Sequence, residues 1–503
     1  MGFGKESTVY FYRTVRIMNK MKKIVSVFIS SVILTAVFSG CQKQEAGMPT
    51  LNWYLFFAEQ NDLPAVQAEL NKITEKNLGC RVNIVRIEDG DYNEKIKLGL
   101  AGGEAIDICH MAPRFNFYSH LNRGAFLALD ELIEKNAPDM YDIMPESFWD
   151  APRVNGKLYG IPNYQIVGRM NGFVCLKELT DKYNFDLSKV EKLEDMEPYY
   201  AAVKAGEDSN MRCFNGANGA YSWGMSHFIG FDAIGSEKYP CAVRTNDDSL
   251  TVVNQYETEE FKNYCELMRK WYNNGYIPKL GSNDSSADLL KQGLVASNLD
   301  NIAPGFIPKL EKQRNGRAVD TKVIDPPFVN TANIIATMNC VIATTKYPEL
   351  CVKFLNIVNH NVDNVYNLLC YGIEGKHYNK IGENRIEIIK DSGYEPNKSW
   401  EFGNNFNAYL IEGQEDDIWE QTKRVNESAV VSRLLGFSPD TDPIKSEIEA
   451  CNAVIEEYMY NLTSGAIDID TKLPEFQQKL KNAGVDRIIS EVQKQVDEWK
   501  KNK

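Results

Sequence analysis

The chain has 503 residues, of which 43% are hydrophobic and 25% are charged. This composition is typical of a globular protein, and the length is too great for one compact core, so we expect at least two domains. Lys and Arg number 56 against 69 Asp and Glu, which gives a net charge of −13. Because such a chain has no overall basic field to attract phosphates, nucleic acid is not expected as a partner.

The N-terminal segment has the pattern of an export signal. Lysines within 20–23 precede an apolar stretch at 24–38. The small residues Ser39 and Gly40 then lead to Cys41. A basic region, an apolar core and small residues before a cleavage point are typical of a signal peptide. An uncleaved membrane anchor is the alternative interpretation, although the apolar stretch is short for a membrane-spanning helix.

Residues 38–41 also resemble a bacterial lipobox, and this resemblance implies that Cys41 carries a lipid and becomes the first mature residue. We therefore predict a signal peptide with lipobox at 18–41 and a polar tether at 42–50. No later apolar run approaches ~18 residues. The mature protein is thus expected on the extracytoplasmic face of the cell membrane, held there through the lipid on Cys41.

The first part of the mature chain alternates strands and helices. Apolar runs and helical spacing predict, in order, a strand at 51–57, a helix at 62–78, a strand at 80–87, a helix at 92–101 and a strand at 105–111. Strands joined by helices need right-handed crossovers, which are characteristic of a mainly parallel sheet. The sequence therefore predicts an α/β lobe.

Ligands of such sheets bind at the carboxyl ends of the strands, which directs attention to the loops at 57–61 and 110–118. The second loop contains Arg114, Asn116 and three aromatic residues. Aromatic rings can stack on the C–H faces of a sugar, while guanidinium and amide groups bind its hydroxyls. A surface loop whose aromatic residues are anchored in the core is the alternative.

Several later segments share the order and spacing of motifs in a known family. Residues 155–162 (NGKLYGIP) resemble the first inter-lobe crossing of bacterial extracellular solute-binding proteins, which serve ABC importers. Residues 324–327 (IDPP), with a predicted strand at 334–344 and a helix at 347–359, resemble the return crossing. Further segments resemble a LipO-like subgroup of these lipoproteins, at 371–378, 399–406 and 435–438.

The resemblance implies a two-lobed periplasmic-binding-protein-like α/β fold of type II, in which each lobe is a mainly parallel sheet flanked by helices and a hinge joins the lobes. Lobe 1 is placed at 51–163 plus 330–372. Lobe 2 is placed at 164–329 plus 373–503 and includes a family-specific C-terminal region.

The resemblance also implies a monomer that captures an oligosaccharide between the lobes and delivers it to the permease subunits of an ABC importer. A peptide or another small solute is the alternative ligand.

The sequence lacks the common motifs of catalytic and metal-binding sites, which gives little support to an enzyme. The five histidines form no HExxH motif, and neither a GxSxG nor a P-loop spacing occurs. Among so many acids, a pair suited to glycoside hydrolysis is not excluded, so an exported glycoside-active enzyme is a third hypothesis. We predict no enzymatic activity, no cofactor and no metal.

The predicted ligand site combines residues from both lobes. The first lobe contributes acceptors and donors near the strand ends, and the second contributes further polar groups and two tryptophans as stacking platforms. The residues are Glu59, Gln60, Arg114 and Asn116 from the first lobe, Tyr164 at the crossing, and Trp223, Asp300, Asn301, Trp400 and Asn404 from the second lobe.

Ten cysteines follow Cys41, without a CxxC pair or a Cys/His cluster of zinc type. Several lie in apolar runs, where cysteine is a small buried hydrophobe. We predict free thiols, with one or two disulfides as the alternative.

Overall fold

The computed structural model describes residues 47–215, 225–235, 239–277 and 285–502. The predicted signal peptide, the lipobox with Cys41, most of the tether, and Trp223 lie outside the described residues.

The strands in chain order are β1 (Thr50–Phe56), β2 (Arg81–Ile87), β3 (Ile108–Met111), β4 (Arg153–Val154), β5 (Lys157–Leu158), β6 (Ile161–Pro162), β7 (Asn171–Leu176), β8 (Arg212–Phe214), β9 (Phe231–Ala233), β10 (Cys241–Arg244), β11 (Val253–Asn254), β12 (Val295–Asn301), β13 (Val319–Val323), β14 (Phe328–Val329), β15 (Met338–Val341), β16 (Tyr378–Lys380), β17 (Arg385–Ile388), β18 (Leu410–Ile411) and β19 (Val430–Val431).

The α-helices in chain order are α1 (Leu63–Leu78), α2 (Tyr92–Gly102), α3 (Phe117–Asn122), α4 (Asp130–Asn136), α5 (Lys177–Lys182), α6 (Glu197–Gly206), α7 (Met225–Phe228), α8 (Glu259–Asn273), α9 (Ser286–Gln292), α10 (Ile307–Gln313), α11 (Thr331–Ile334), α12 (Pro348–Asn359), α13 (Val365–Tyr371), α14 (Ser399–Phe402), α15 (Ile418–Ser428), α16 (Lys445–Thr463), α17 (Ile469–Asn482) and α18 (Val485–Asn502).

The first lobe is built on a five-stranded sheet with the order β2-β1-β3-β15-β6. Strand β1 pairs in parallel with β2 and β3, while β15 runs antiparallel to its neighbours β3 and β6. Four of the five strands therefore share one direction, which confirms the predicted α/β lobe. Helix α1 packs its apolar face on this sheet, and Gly79 ends it in the left-handed conformation that glycine accommodates best.

The second lobe contains a four-stranded sheet with the order β13-β7-β12-β8. Strand β7 runs antiparallel to both neighbours, and β12 pairs in parallel with β8. Three strands therefore share one direction and β7 opposes them. A smaller antiparallel sheet, β11-β10-β9, belongs to the same lobe.

Two large apolar cores correspond to the two lobes. The first core is formed mainly by residues within 51–167 and 329–370. The second is formed mainly by residues within 173–299 and 434–496, which include the C-terminal helices. Burial of apolar surface in each core gives each lobe its own source of stability.

The segment at 373–408 was expected in the second lobe, and its packing indicates a different division. Tyr394, Phe402 and Ala408 are buried in the first core. Asp62, just before α1, also accepts hydrogen bonds from Lys376 Nζ at 2.8 Å and His377 Nε2 at 3.0 Å. We therefore propose that this segment belongs to the first lobe. The other lobe boundaries stay a prediction.

Three stretches of chain run side by side between the cores. Arg169, between β6 and β7, exchanges two backbone hydrogen bonds with Phe328 of β14, at 2.8 and 2.9 Å. Strand β14 pairs in parallel with β19. After β19, Leu434 packs in the second core and Leu435 in the first. In the described residues the chain therefore passes between the two cores near Arg169, near Phe328 and again at 429–435.

Candidate functional site

The carboxyl ends of β1 and β3 carry an aromatic cluster. Phe56 ends β1, and its ring centre lies 5.0 Å from that of His110, 5.1 Å from that of Phe115 and 5.7 Å from that of Trp400. Phe56, His110 and Phe115 are buried, whereas Trp400 is only partly buried. Trp400 is therefore the least buried member of the cluster at this end of the first sheet.

Two cations lie against this cluster. The Arg114 guanidinium carbon is 4.9 Å from the centre of the Phe56 ring and 4.2 Å from that of Phe115. The Lys398 ammonium is 4.4 Å from the centre of the Phe56 ring and 5.0 Å from that of Trp400. These distances are in the range of favourable cation–π contacts. The sequence predicted Arg114 and Trp400 for the site, and the structure brings them together through Phe56.

Asp89 is the carboxylate that both cations share. Its Oδ1 lies 4.0 Å from Arg114 Nη1, and its Oδ2 lies 3.6 Å from Lys398 Nζ. The carboxylate is more than half exposed, so solvent weakens both ion pairs. Neither Asp89 nor Lys398 was predicted, although Lys398 lies only two positions before Trp400 in the sequence.

A buried carboxyl group lies beneath the cations. Glu401 is fully buried, and its Oε1 accepts a hydrogen bond from the Phe56 backbone N–H at 2.6 Å. Its Oε2 has no hydrogen-bond partner among the described residues. Burial raises the pKa of Glu401 well above its usual range, against the opposing effects of the Phe56 hydrogen bond and the positive charge of Lys398. The neutral acid is therefore favoured.

His110 is the second buried titratable group of the cluster. Burial, together with the nearby positive charge of Arg114, lowers the pKa of His110 to about 3, although a hydrogen bond with the Glu401 backbone opposes the shift. The imidazole is therefore neutral at physiological pH and contributes an apolar contact to the cluster.

A chain of buried hydrogen bonds connects the Trp400 segment to the first crossing. Asn163 Nδ2 donates to the Glu401 carbonyl at 2.7 Å and to the Thr337 hydroxyl at 2.9 Å. Asn339 donates to Asn163 Oδ1 at 2.9 Å, and Trp53 Nε1 donates to Asn339 Oδ1 at 2.8 Å. Paired buried polar groups of this kind fix local geometry, so the position of Trp400 is coupled to Asn163 at the first crossing.

Tyr164 and Asn404 support the same segment. Tyr164 is buried, and its ring lies 4.6 Å from that of Phe406 between ring centres. The Tyr164 carbonyl accepts a hydrogen bond from the Asn405 backbone at 2.8 Å. Asn404 Oδ1 accepts a hydrogen bond from the Phe406 backbone at 3.1 Å. The structure thus places both predicted residues in contacts that fix the turn after α14.

The three remaining predicted residues of the first lobe lie in loops. Glu59 is exposed after β1. Gln60 Oε1 accepts a hydrogen bond from the Glu395 backbone at 2.5 Å, which joins this loop to the segment before Lys398. Asn116 adopts a left-handed conformation, and its side chain donates to Asn93 at 3.0 Å.

Of the residues predicted for the second lobe, Asp300 and Asn301 lie at the carboxyl end of β12, whereas Trp400 and Asn404 lie in the segment at 373–408, where Trp400 packs against the first core. Asp300 Oδ1 accepts a hydrogen bond from the Asn301 backbone at 2.8 Å. Asn301 Oδ1 accepts one from the Met170 backbone at 3.2 Å. These contacts hold the chain where it passes from the first crossing into β7. Trp223 lies outside the described residues.

A cavity of about 920 Å³ lies between the first lobe and the C-terminal region. Its lining residues come from the β4–β5 hairpin and the segment before it, from the loop at 435–440, and from α18. Sequence reasoning gave no indication of this cavity.

Within residues 47–215, 225–235, 239–277 and 285–502, no group of three or more His, Cys, Asp or Glu side chains is arranged to hold a metal ion. Helices of the described part of the chain are too short or too polar to cross a membrane.

Comparisons with known proteins agree with this architecture. Residues 69–367 match the family of bacterial extracellular solute-binding proteins, and residues 433–501 match a domain of unknown function. A carbohydrate ABC transporter substrate-binding protein from Streptococcus pneumoniae is 30% identical over 507 residues, which cover 97% of this chain and 100% of that protein.

A solved structure shows the same likeness in three dimensions. The crystal structure of an N-glycan transport solute-binding protein from Streptococcus pneumoniae is 28% identical, covers 90% of this chain and 99% of its own, and gives a TM-score of 0.78. The same protein in complex with Man5GlcNAc gives a TM-score of 0.65 at the same coverage. The conformation of our chain is therefore closer to the first of these structures than to the glycan complex. On the evidence of its fold, its crossings and these matches, the chain belongs to the bacterial extracellular solute-binding protein family.

Proposed function

We propose that this protein captures an oligosaccharide between its two lobes and delivers it to the permease subunits of an ABC importer. The observation that carries the proposal is the match over nearly the whole chain to a carbohydrate ABC transporter substrate-binding protein. The related N-glycan transport protein, solved in complex with Man5GlcNAc, supports the same ligand class.

The chemistry of the first lobe suits a sugar. The partly exposed ring of Trp400 offers a face on which the C–H groups of a pyranose can stack. Lys398 lies 5.0 Å from the centre of that ring, and Arg114 and Asp89 next to the same aromatic cluster add further hydrogen-bond donors and acceptors for hydroxyl groups. A ligand that contacts both lobes favours the closed state, because only that state makes all the contacts at once.

The anchor and the assembly state are part of the proposal. We propose that the lipid on Cys41 holds a monomer at the outer face of the cell membrane. A binding protein tethered in this way stays close to the importer while its lobes move. We propose no catalytic role, because the relatives are named as binding proteins.

A thermal-shift screen of the purified protein against oligosaccharides and peptides tests the ligand class. A ligand that binds only the folded state raises the melting temperature, so oligosaccharides should raise it and peptides should leave it unchanged. The sugar recovered after incubation should be chemically unchanged. Stabilisation by peptides alone would favour peptide binding, and new sugar products would favour an enzyme.

A further inference from the structure

The cations beside Trp400 indicate which oligosaccharides the site accepts. We propose that Arg114 and Lys398 together bind a carboxylate, so that the captured oligosaccharide carries an acidic sugar, a uronic or sialic acid, at the first-lobe side of the cleft. This inference rests on the proposed function and specifies its ligand.

The first argument is charge. Arg114 and Lys398 bring two positive charges to one aromatic cluster, and the carboxylate that they share, Asp89, brings one negative charge. The buried carboxyl group of Glu401, beneath them, is held towards its neutral form by burial, which raises its pKa. A ligand carboxylate would supply the second negative charge to this pair of cations.

The second argument is geometry. The Lys398 ammonium lies 5.0 Å from the centre of the Trp400 ring, and both cations lie within 5 Å of the centre of the Phe56 ring. A sugar stacked on Trp400 would therefore have its substituents next to these cations. The guanidinium can donate two parallel hydrogen bonds to one carboxylate, and the ammonium can add a third.

The third argument is that the backbone around Lys398 is held in place before a ligand arrives. Asn163 fixes the backbone of Trp400 and Glu401, and Glu401 fixes the end of β1 through Phe56. Gln60 joins the loop after β1 to the segment that precedes Lys398. A lysine on a backbone that is positioned in advance loses less freedom on binding, which favours affinity.

The test compares matched ligands that differ only in charge. Calorimetric titration would measure the affinity of the purified protein for trigalacturonate and its methyl ester, and for sialyllactose and its methyl ester. We expect the acidic member of at least one pair to bind at least tenfold more tightly at low ionic strength. Added salt should reduce that difference, because the added ions screen the charges.

Variants connect the preference to the residues. Lys398→Met keeps an apolar stem against the rings but removes the charge, so it should weaken binding of the acidic ligand about tenfold more than binding of the neutral ligand. Lys398→Arg should restore the preference. Lys189→Met removes an exposed lysine that pairs with Asp186 on the second lobe, and should change nothing.

The outcomes separate this inference from the proposed function. If both members of every bound pair bind equally, or the neutral member binds more tightly, the acidic-sugar inference is overturned while oligosaccharide capture stands. If no sugar of either charge binds, both are overturned. If Lys398→Met weakens the acidic and the neutral ligand alike, the lysine acts through packing and the inference fails.

Discussion

Glu401 joins the end of β1 to the segment that carries Trp400. Its carboxyl group accepts the Phe56 backbone N–H, while its own carbonyl accepts from Asn163. Acidic side chains are normally exposed, so nothing in the sequence predicted this one inside the core. Its burial is compensated by one strong hydrogen bond and by the neutral state that burial favours.

Removal of this acceptor should destabilise the protein. Glu401→Ala leaves the Phe56 N–H buried without a partner, at a cost of ~1–3 kcal/mol in the free energy of unfolding. Glu401→Gln keeps an acceptor of the same shape and should cost less. Urea unfolding followed by circular dichroism measures the free energy of unfolding of both variants. Glu349→Ala, at a half-exposed acid, is the control, and equal losses in the two Glu401 variants would contradict this role.

At the scale of elements, one buried acid connects the small sheet of the second lobe to two crossings. Asp232 in β9 is 4% exposed and accepts hydrogen bonds from the Ser432 hydroxyl and from Asn330 Nδ2. Burial raises the pKa of Asp232 to about 6, although these hydrogen bonds oppose the shift.

This shift predicts a pH-dependent stability. The pKa of Asp232 is higher in the folded state than the ~3.9 of an unfolded aspartate, so protonation of Asp232 stabilises the folded state. This contribution to the free energy of unfolding is fully present below about pH 4. It is lost as the pH rises through 6, by an amount on the order of 3 kcal/mol. Asp232→Asn should remove this part of the dependence.

Urea unfolding at pH 4.5, 5.5 and 7.5 would compare the wild type with Asp232→Asn. Asp416→Asn, at a carboxylate that is 94% exposed, serves as the control. Identical pH slopes in the wild type and Asp232→Asn would show that Asp232 does not titrate in this range.

The elements of the first lobe were predicted well because their signals are local. The strand at 51–57 and the helix at 62–78 correspond to β1 and α1 within one residue at each end. The strand expected at 105–111 is shorter, since β3 begins only at Ile108, after a turn in which the Ile106 backbone donates to the Glu104 carbonyl.

The candidate site was predicted less completely because its contacts are distant in the sequence. Arg114 and Trp400 were both chosen, but nothing local shows that they share the ring of Phe56. Lys398 reaches the Phe56 ring only because α14 lies against β1. The position of α14 is set by Asn163 and Glu401, and hydrogen bonds between remote residues leave no periodic pattern in a sequence.

At the scale of the whole molecule, ligand should bring the lobes together. The TM-score is 0.78 to one crystal structure of the related N-glycan transport protein and 0.65 to its Man5GlcNAc complex, so this conformation differs more from the bound form. Small-angle scattering should show a smaller radius of gyration with saturating oligosaccharide. An unchanged radius would indicate a rigid site or one confined to a single lobe.

The anchor is testable in the same intact protein. Cys41→Ala removes the residue that we expect to carry the lipid, so the variant should accumulate as an unlipidated precursor. Metabolic labelling with a fatty-acid analogue in a bacterial host measures this directly. Cys80→Ala, at a buried cysteine of the first core, is the control and should keep the label. Equal labelling of wild type and Cys41→Ala would contradict the prediction.

All ten cysteines of the described residues are free and buried, as the sequence predicted. Burial raises the pKa of Cys213 to about 11 and that of Cys241 to about 12, which suppresses the thiolate form that reacts with maleimide dyes. The native thiols can therefore stay in place when new ones are added. Cysteines introduced at the exposed positions Leu98 and Tyr460, one on each lobe, would accept a donor and an acceptor fluorophore. Single-molecule energy transfer could then follow opening and closing in the otherwise unaltered chain.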